Sequence, residues 1–545
     1  MSLHDDLLGH WSFENDLQDH APSKLHSAAT NVAIGNIPGE QGRAGGAVFD
    51  GRTSVIEVAD HPSLHLAGNP FSLALWLHTD AGEGDVVGDL VSCYNPDTRT
   101  GFTLSVASMN GVTSSPLVND RHLHFGIDSG RADEGWLDCG RPGQAVFVPA
   151  LHVHEGDLYA GTFEIEAEQT GHLWRYEADG RWQDLGGCPD GSSIVPAITH
   201  FSGDLYCSTG RYRTEGSALG PRRNMRPGGR VYRIISDEQW VDCGLVGAEG
   251  ARPDDAPEVD HYTDKADETT MLVPFRGELL AVSAHRRGVW RYEGDGCWKP
   301  IGPEARLISV TVFHGRLYGT INGGPVMRYD GEGDWADCGR PATSTQTYGA
   351  AIYQSELYVG TWPEGEVYRY DGGSEWHPLP RLEFEREVMC LVVYNGKLYA
   401  GALPMGHVYR LDGENFTFVG NLDDSEAVLR RVWTMAIYRG RLFGGTLPSG
   451  RVRHFQAGAM ATSDRSLASG WRHIAAVRHR NKLELFVDGS LAASTPCDDD
   501  FDLSCDRPLR IGQGQHAALS GALSDLRLYG RALSAEQIAE LAARG

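Results

Sequence analysis

The chain has 545 residues, of which 73 are acidic and 48 are basic, and its net charge is −25. A surface this acidic repels nucleic acid and anionic membranes, and no apolar stretch approaches the roughly 18 residues that cross a bilayer. We therefore expect neither nucleic acid nor a membrane as a partner, and we expect a monomer.

The first residues, MSLHDDLLGHW, contain neither the basic nor the apolar segment of a signal peptide. From this we expect a cytoplasmic protein or the trimmed form of a secreted one. Of the ten cysteines, Cys139, Cys243 and Cys338 occupy the same position of a repeat. Equivalent positions of different repeats lie too far apart for a disulfide, whose Cα atoms must come within about 7 Å. Pairing between Cys497 and Cys505 is left open, because spacing alone does not specify a disulfide.

The two ends of the chain have strand-like patterns that complement each other. Residues 1–133 contain GHWSFEND, GGAVFDGRTSVIEV and FSLALWLHT, and residues 458–545 contain GWRHIAAVRHRNKLELFVDGSLAAS and LSGALSDLRLYGRALSAEQIAEL. Apolar and polar residues alternate in these segments, as in half-buried strands. Neither end has enough strands to close a sheet alone. We predict one all-β jelly-roll sandwich built from both ends, with a short helix at the C-terminus.

A short pattern recurs between these ends, over residues 134–457. Each unit has an apolar run, a turn into a segment such as GDLYAGT, a Gly-rich loop, a segment such as VYRYDG, and a last strand such as WADCG. Four strands per unit at a period of about 40 residues are typical of a β-propeller blade. The pattern predicts a seven-bladed propeller inserted in one loop of the sandwich. The second segments of the seven units are marked by Tyr159, Tyr206, Leu280, Tyr318, Tyr358, Tyr399 and Phe443.

The seventh unit lacks a fourth strand after GRVRHFQ, whereas an unassigned segment, GWLDCG, precedes the first unit at 135–140. We predict that this segment completes blade seven and closes the ring, which removes an exposed sheet edge. Tryptophans recur in phase in the last strands, and we interpret them as packing between blades: Trp136, Trp182, Trp240, Trp298, Trp335 and Trp376.

The motifs GGAVFDG, FSLALWL, GWRHIAAVR and LELFVDG make the two ends resemble the laminin-G-like, concanavalin A-like jelly roll. Many relatives hold a calcium ion, and Asp16, Asp19 and Asp525 lie where such ligands would fall. The resemblance thus implies a structural calcium site, and solvated turn carboxylates are the alternative. The insert resembles kelch-like propellers and, distantly and in architecture only, propeller-type polysaccharide lyases. It contains no full motif of one lyase family, so no residue role follows from that likeness.

The repeat is interrupted in three segments that are adjacent in the predicted ring. They are the loop 210–230 of blade two, the link 246–270 into blade three, and the loop 283–288 of blade three. Loops, rather than strands, carry most binding sites. Together these segments form a basic cluster: Arg211, Tyr212, Arg213, Arg222, Arg223, Arg226, His261, Tyr262, Lys265, His285, Arg286 and Arg287.

Guanidinium groups bind carboxylates bidentately, so the cluster predicts a site for an acidic, uronate-containing glycan. The candidate binding residues are Arg211, Arg213, Arg222, Arg223, Lys265, Arg286 and Arg287. Cleavage by β-elimination, the lyase reaction, needs in addition a base and an acid; His261 or His285 is the candidate base, and Tyr212 or Tyr262 the candidate acid. Two alternatives remain open. The arginines could pair with Asp254, Asp255, Glu258 and Asp260 and merely fix the loops, and the protein could be a non-catalytic lectin or a protein-interaction scaffold.

Overall fold

The computed structural model describes residues 3–35, 37, 45–80, 87–107, 117–214, 216–221, 223–237, 239–247, 268–283, 288–342 and 344–544. The protein is all-β and contains a jelly-roll sandwich, built from both chain ends, and a seven-bladed propeller. Both predictions of architecture are confirmed. The described part contains one α-helix, Ala535–Ala543, and one 3-10 turn, Pro62–Leu64. In that part, no helix has the length and apolarity needed to cross a bilayer.

The sandwich alternates strands from the two chain ends. One sheet has the order Ala33–Gly35, Gly46–Asp50, Ser520–Tyr529, Phe71–Thr79, Gly470–Arg478, Lys482–Val487 and Ser490–Pro496, with Leu7–Trp11 also pairing with Ser520–Tyr529. The other has the order Ser27–Thr30, Val55–Val58, Leu509–Ile511, Gly88–Asn95, Thr100–Ala107, His122–Ser129 and Ala459–Ser466. The core between the sheets includes Trp11, Phe71 and Phe125 from one end and Ile474 and Leu523 from the other. Neither end could therefore bury this core alone.

Each blade is a four-stranded antiparallel sheet. Blade one comprises Phe147–His154, Asp157–Phe163, His172–Ala178 and Arg181–Gly187; blade two, Ile198–Phe201, Asp204–Ser208, Arg230–Ser236 and Gln239–Leu245; blade three, Thr269–Phe275, Glu278–Ser283, Val289–Gly294 and Cys297–Gly302. Blade four comprises Leu307–Phe313, Arg316–Ile321, Val326–Gly331 and Asp334–Asp337; blade five, Gln346–Tyr353, Glu356–Trp362, Val367–Tyr370 and Trp376–Pro378; blade six, Glu387–Tyr394, Lys397–Leu403, His407–Asp412 and Asn415–Asn421.

Blade seven combines three strands from the end of the repeat region with one from its beginning. Arg431–Tyr438, Arg441–Leu447 and Val452–Phe455 are completed by Leu137–Asp138, which pairs antiparallel with Val452–Phe455. The predicted closing strand is thus confirmed. The last sandwich strand before the propeller ends at Ser129, and the first one after it begins at Ala459; the domain limits at residues 133 and 457 stay predictions.

The tryptophans join neighbouring blades, as expected. In five blades the indole nitrogen donates to a backbone carbonyl of the preceding blade at 2.8–3.0 Å, in the pairs Trp182–Cys139, Trp240–Leu185, Trp298–Cys243, Trp335–Ile301 and Trp376–Cys338. Trp136, in the closing segment, stacks on Phe455 at 5.1 Å. All ten cysteines lie in the described part and are free thiols, so Cys497 and Cys505 are not paired.

The sandwich packs against the turns that join the first and second strands of the blades. Asn395, in that turn of blade six, donates to the carbonyls of Ile127 and Ala457 at 3.0 and 2.7 Å. In blade seven, Asn119 exchanges two hydrogen bonds with the backbone of Ile437, at 2.6 and 2.9 Å. The opposite end of the ring, where the innermost strands begin, therefore faces away from the sandwich.

Candidate functional site

The innermost strands of the blades begin around one end of the ring, which we call the mouth. The described residues there enclose a pocket of about 560 Å³ to which all seven blades contribute. Its apolar wall includes Phe147, Pro149, Ile194, Pro196, Leu307, Ile308, Leu403 and Leu429. A pocket of this size lies within the range of small-molecule sites, about 300–1,000 Å³.

The charge of the mouth is opposite to that of the whole protein. Among the described residues that line the pocket, there are four arginines and two glutamates: Arg213, Arg306, Arg386, Arg431, Glu268 and Glu387. The chain as a whole carries a net charge of −25. A local excess of guanidinium groups inside a partly apolar cavity attracts anions, because the low dielectric of the walls strengthens the interaction.

Two of these charges lie at the entries of neighbouring strands. Glu387 is the first residue of the inner strand of blade six, and Arg431 is the first residue of that of blade seven. Arg431 Nη2 lies 3.9 Å from Glu387 Oε2, and the Glu387 side chain is 3% exposed. Arg431 also donates to the carbonyl of Gly216 at 3.1 Å, which ties the long loop of blade two to the mouth.

Burial dominates the electrostatics of this pair. It raises the pKa of Glu387 above its ordinary value, while the nearby Arg431 and a hydrogen bond with Tyr348 act in the opposite direction. Burial also disfavours the charge of Arg431, but Glu387, Tyr212 and Tyr348 outweigh it and raise the pKa of the guanidinium. Arg431 is therefore a permanent cation, whereas Glu387 takes up a proton at a higher pH than an exposed glutamate does.

Aromatic rings form two sides of the mouth. The guanidinium of Arg386 lies 5.1 Å from the ring centroid of Trp362, and that of Arg431 lies 5.8 Å from Trp433. Both distances are within the range of cation–π contacts. Indole faces next to guanidinium groups present the apolar and the charged contacts that an acidic sugar ring needs.

Tyr212, the candidate acid, lies on the pocket wall. It packs against Phe147, Phe163 and Trp433 at centroid distances of 5.1, 5.2 and 6.4 Å. Burial raises the pKa of its hydroxyl to about 12, an effect that Arg431 opposes. The phenol thus stays protonated near neutral pH and can donate a proton or a hydrogen bond.

The other binding and catalytic residues predicted from the sequence fall into three groups: one lines the pocket, two bind elsewhere, and the rest lie outside the described residues. Arg213 lines the pocket. Arg211 donates to the carbonyl of Met225 in its own loop at 3.1 Å, and Arg223 forms an exposed ion pair with Glu166. Arg222, His261, Tyr262, Lys265, His285, Arg286 and Arg287 lie outside the described residues, as do Asp254, Asp255, Glu258 and Asp260.

Sequence reasoning missed a set of pocket residues that come from strand entries: Arg306, Tyr348, Arg386, Glu387, Arg431 and Trp433. One signal could have found two of them. Glu387 and Arg431 open the apolar runs EVMCLVVY and RVWTMAIY at equivalent positions of neighbouring repeats. A charge at the start of an innermost strand faces the ring axis, where burial is costly without a functional or structural partner.

The three carboxylates of the expected calcium site are engaged by protein donors. Asp19 accepts backbone N–H groups of His10, Ala21 and Leu25 at 2.7–2.8 Å. Asp525 binds His10 and Arg527, and Asp16 binds Gln18 and His20. Oxygens that face N–H donors are poorly placed for a cation, so these contacts do not support the calcium prediction. Within the described ranges, the grouping suited to a metal is the exposed set Asp371, Glu375 and His377.

Comparisons with known proteins address the architecture. The family model of the concanavalin A-like lectin/glucanases superfamily (Laminin_G_3) matches residues 442–539. No curated protein matches the chain significantly. Similar solved structures include a catalytically inactive virginiamycin B lyase from Staphylococcus aureus with quinupristin (12% identity, 59% of this chain, 98% of that chain, TM-score 0.40). Another is the WD40 β-propeller domain of Doa1 (11% identity, 59% and 97%, TM-score 0.41).

At these identities and TM-scores the two solved structures carry no argument about function. The matched family model and the two-sheet topology agree on a concanavalin A-like domain at the C-terminal end of the chain. A concanavalin A-like jelly roll joined to a seven-bladed propeller is compatible with carbohydrate binding or with a role as a scaffold.

Proposed function

We propose that this protein binds an acidic, uronate-containing oligosaccharide in the mouth of its propeller. The observation that carries the proposal is the excess of arginines, four against two glutamates among the described residues of one aromatic-walled pocket. A guanidinium donates two parallel hydrogen bonds to a carboxylate. The indoles of Trp362 and Trp433 add apolar surface to the pocket wall, against which the C–H groups of a sugar ring can pack.

Calorimetry with a panel of uronate oligosaccharides and their carboxyl-reduced counterparts tests the proposal. We expect the acidic forms to bind at least about tenfold more tightly, because a charge-assisted hydrogen bond contributes roughly 1.5–3 kcal/mol. Affinity should also fall with added salt, since part of it is screened Coulomb attraction. Equal affinity for both forms, or no binding by any member of the panel, would contradict the proposal.

Arg386→Gln identifies the site. Arg386 is exposed and stacks on Trp362, so its replacement should weaken uronate binding by about tenfold without affecting folding. Arg316→Gln is the matched control, because Arg316 is an exposed arginine that pairs with Asp330 in blade four, away from the mouth. Equal losses in both variants would indicate non-specific attraction to the protein surface.

Cleavage of the same glycan by β-elimination is a second candidate function. It is favoured by the neutral phenol of Tyr212 beside the cation of Arg431. Arginines would neutralise the uronate carboxylate, which acidifies the proton at C5, and Tyr212 would protonate the leaving oxygen. Among the described residues no histidine lines the pocket, and the candidate bases His261 and His285 lie outside them.

Absorbance of the unsaturated product distinguishes the enzyme from a lectin. An enzyme should give a steady rise in absorbance that Tyr212→Phe abolishes, while binding of the uronate persists. Tight binding with no rise would identify a non-catalytic lectin. The third option, a protein-interaction scaffold, is favoured by Phe384 and Val428, which are 86% and 76% exposed in the links into blades six and seven; it predicts no saccharide binding at all.

A further inference from the structure

Glu387 is one of two glutamates among the described residues of a pocket that has an excess of arginines. It is 2% exposed, and the guanidinium of Arg431 lies 3.9 Å from its carboxylate. If a ligand carboxylate binds the same guanidinium, two carboxylates share one cation in a poorly solvated space. Like charges in such a site do not both remain ionised, and one of them takes up a proton.

The hydrogen bonds around Glu387 show which carboxylate can become neutral. Gln346 donates its Nε2 to Asn322 Oδ1 at 2.7 Å, which fixes the orientation of the amide. The Gln346 Oε1 atom therefore accepts the hydroxyl proton of Tyr348. Tyr348 has one hydroxyl proton, which it can give either to Gln346 or to the ionised Glu387, whose pKa this interaction lowers. A protonated Glu387 can donate to the phenol oxygen, so the neutral acid has a partner already in place.

The remaining charged and titratable groups around this pair come from four other blades. Tyr348 lies on blade five and interacts electrostatically with Arg306 of blade four. Tyr212 of blade two interacts with Glu268 at the entry to blade three as well as with Glu387. The tyrosines stay neutral near pH 7, since burial raises the pKa of each. The arginines stay charged, which leaves the two glutamates as the groups able to take up a proton.

We propose that binding of a carboxylate ligand in the mouth is coupled to the uptake of a proton by Glu387. This inference rests on the proposed function. The ligand carboxylate binds the guanidinium of Arg431, the ion pair between Arg431 and Glu387 is released, and a proton from solvent binds to a Glu387 oxygen. The neutral Glu387 then donates to Tyr348. The ligand leaves when that proton returns to solvent, so the pocket binds the acid and the proton together.

The coupling fixes the sign of the pH dependence. Below the pKa of Glu387 in the free protein the proton is already bound, and affinity does not depend on this group. Between that pKa and the higher pKa in the complex, affinity falls by up to about tenfold for each pH unit. Glu387→Gln mimics the protonated state, so its affinity should be higher than that of the wild type at pH 8 and should not change with pH.

Calorimetry in two buffers measures the proton directly. Titrations of the tightest-binding uronate trisaccharide are run in phosphate and in Tris across the pH range in which affinity falls, since the ionisation enthalpies of the two buffers differ widely. We expect the wild type to take up protons, at most one per ligand, Glu387→Gln none, and Glu268→Gln as many as the wild type. Glu268 is the matched control because it is the second buried glutamate of the same pocket.

Each outcome separates the two proposals. Tight binding without proton uptake in the wild type would overturn this inference and leave the proposed function standing. Uptake that persists in Glu387→Gln, or disappears in Glu268→Gln, would assign the proton to another group and overturn it too. No binding by any trisaccharide would overturn both. Should Glu387→Gln fail to fold, Tyr348→Phe replaces it: the loss of the acceptor should reduce the uptake, and unchanged uptake would contradict the mechanism.

Discussion

Asn395→Asp should weaken the junction between the two domains. Asn395 lies in the turn between the first two strands of blade six, at φ 43°, and is 2% exposed. Its Nδ2 atom donates to Ile127, in the last sandwich strand before the propeller, and to Ala457, in the segment that returns to the sandwich. Aspartate has the same shape and also tolerates positive φ, but it has no N–H to donate.

The structure sets the size of the effect. Two buried carbonyls lose their donor, and an acceptor faces each of them instead. A buried polar group left without its partner costs about 1–3 kcal/mol, so two such losses predict about 2–6 kcal/mol. The replacement also places a carboxylate where burial disfavours its charge. The substitution therefore weakens the hydrogen bonding of both chain segments that connect the sandwich to the propeller.

Urea titration followed by tryptophan fluorescence and by far-UV circular dichroism measures this effect. Because a two-domain protein need not unfold in one step, we compare the midpoint of the first transition. Asn415→Asp is the control, since Asn415 is exposed in an outer hairpin of the same blade; it should shift stability by less than about 0.5 kcal/mol. If Asn395→Asp unfolds as late as Asn415→Asp, the two hydrogen bonds do not stabilise the junction.

Three further predictions concern closure, insertion and pH. Trp136→Ala should lower the free energy of unfolding by about 3 kcal/mol, because Trp136 stacks on Phe455 in the closing blade. The substitution should also make the segment 130–136 more susceptible to limited proteolysis, and unchanged cleavage would contradict this prediction. Replacing the propeller by an Asn-Gly turn between residues 127 and 459 should leave a sandwich that melts cooperatively, since Ile127 and Ala459 face each other in antiparallel strands. A non-cooperative melt would show that the sandwich depends on the propeller. Burial raises the pKa of Asp464 from 3.8 to about 7, so its contribution to stability is largest below pH 4 and is lost as the pH rises to 7. Asp464→Asn should therefore reduce the fall in Tm between pH 5 and pH 8, and an equal fall in both proteins would refute the assignment.

Much of the fold could be predicted because its signals are local and repeated. The segment around Trp136 matches the last strands of other blades, and the seventh unit lacks such a strand, so ring closure follows from counting. The in-phase tryptophans can be recognised as structural from the sequence, because a residue that recurs in six of the seven blades cannot define a single site. The sequence also predicts that the two chain ends form one domain, because neither end contains enough strands to cover a core.

The candidate site could be predicted only in part. Insertions and basic residues pointed to the loop of blade two, and Tyr212 and Arg213 do line the pocket. Tyr348 gives no comparable signal, because it lies in an ordinary inner strand, and Glu387 and Arg431 differ from their neighbours only as charges at the start of apolar runs. Their convergence depends on the curvature of the ring, which brings together the starts of strands that are far apart in sequence.

The interleaving of the two chain ends determines the order in which this protein can fold during translation. Strand Phe71–Thr79 pairs on one side with Gly470–Arg478 and on the other with Ser520–Tyr529. The ribosome must therefore complete the whole propeller before either neighbour exists. Until then the N-terminal segment has unpaired strand edges, which promote association between chains. Blades one to six each form from consecutive strands and can fold as they emerge, so nascent chains released within the propeller should aggregate through residues that precede it.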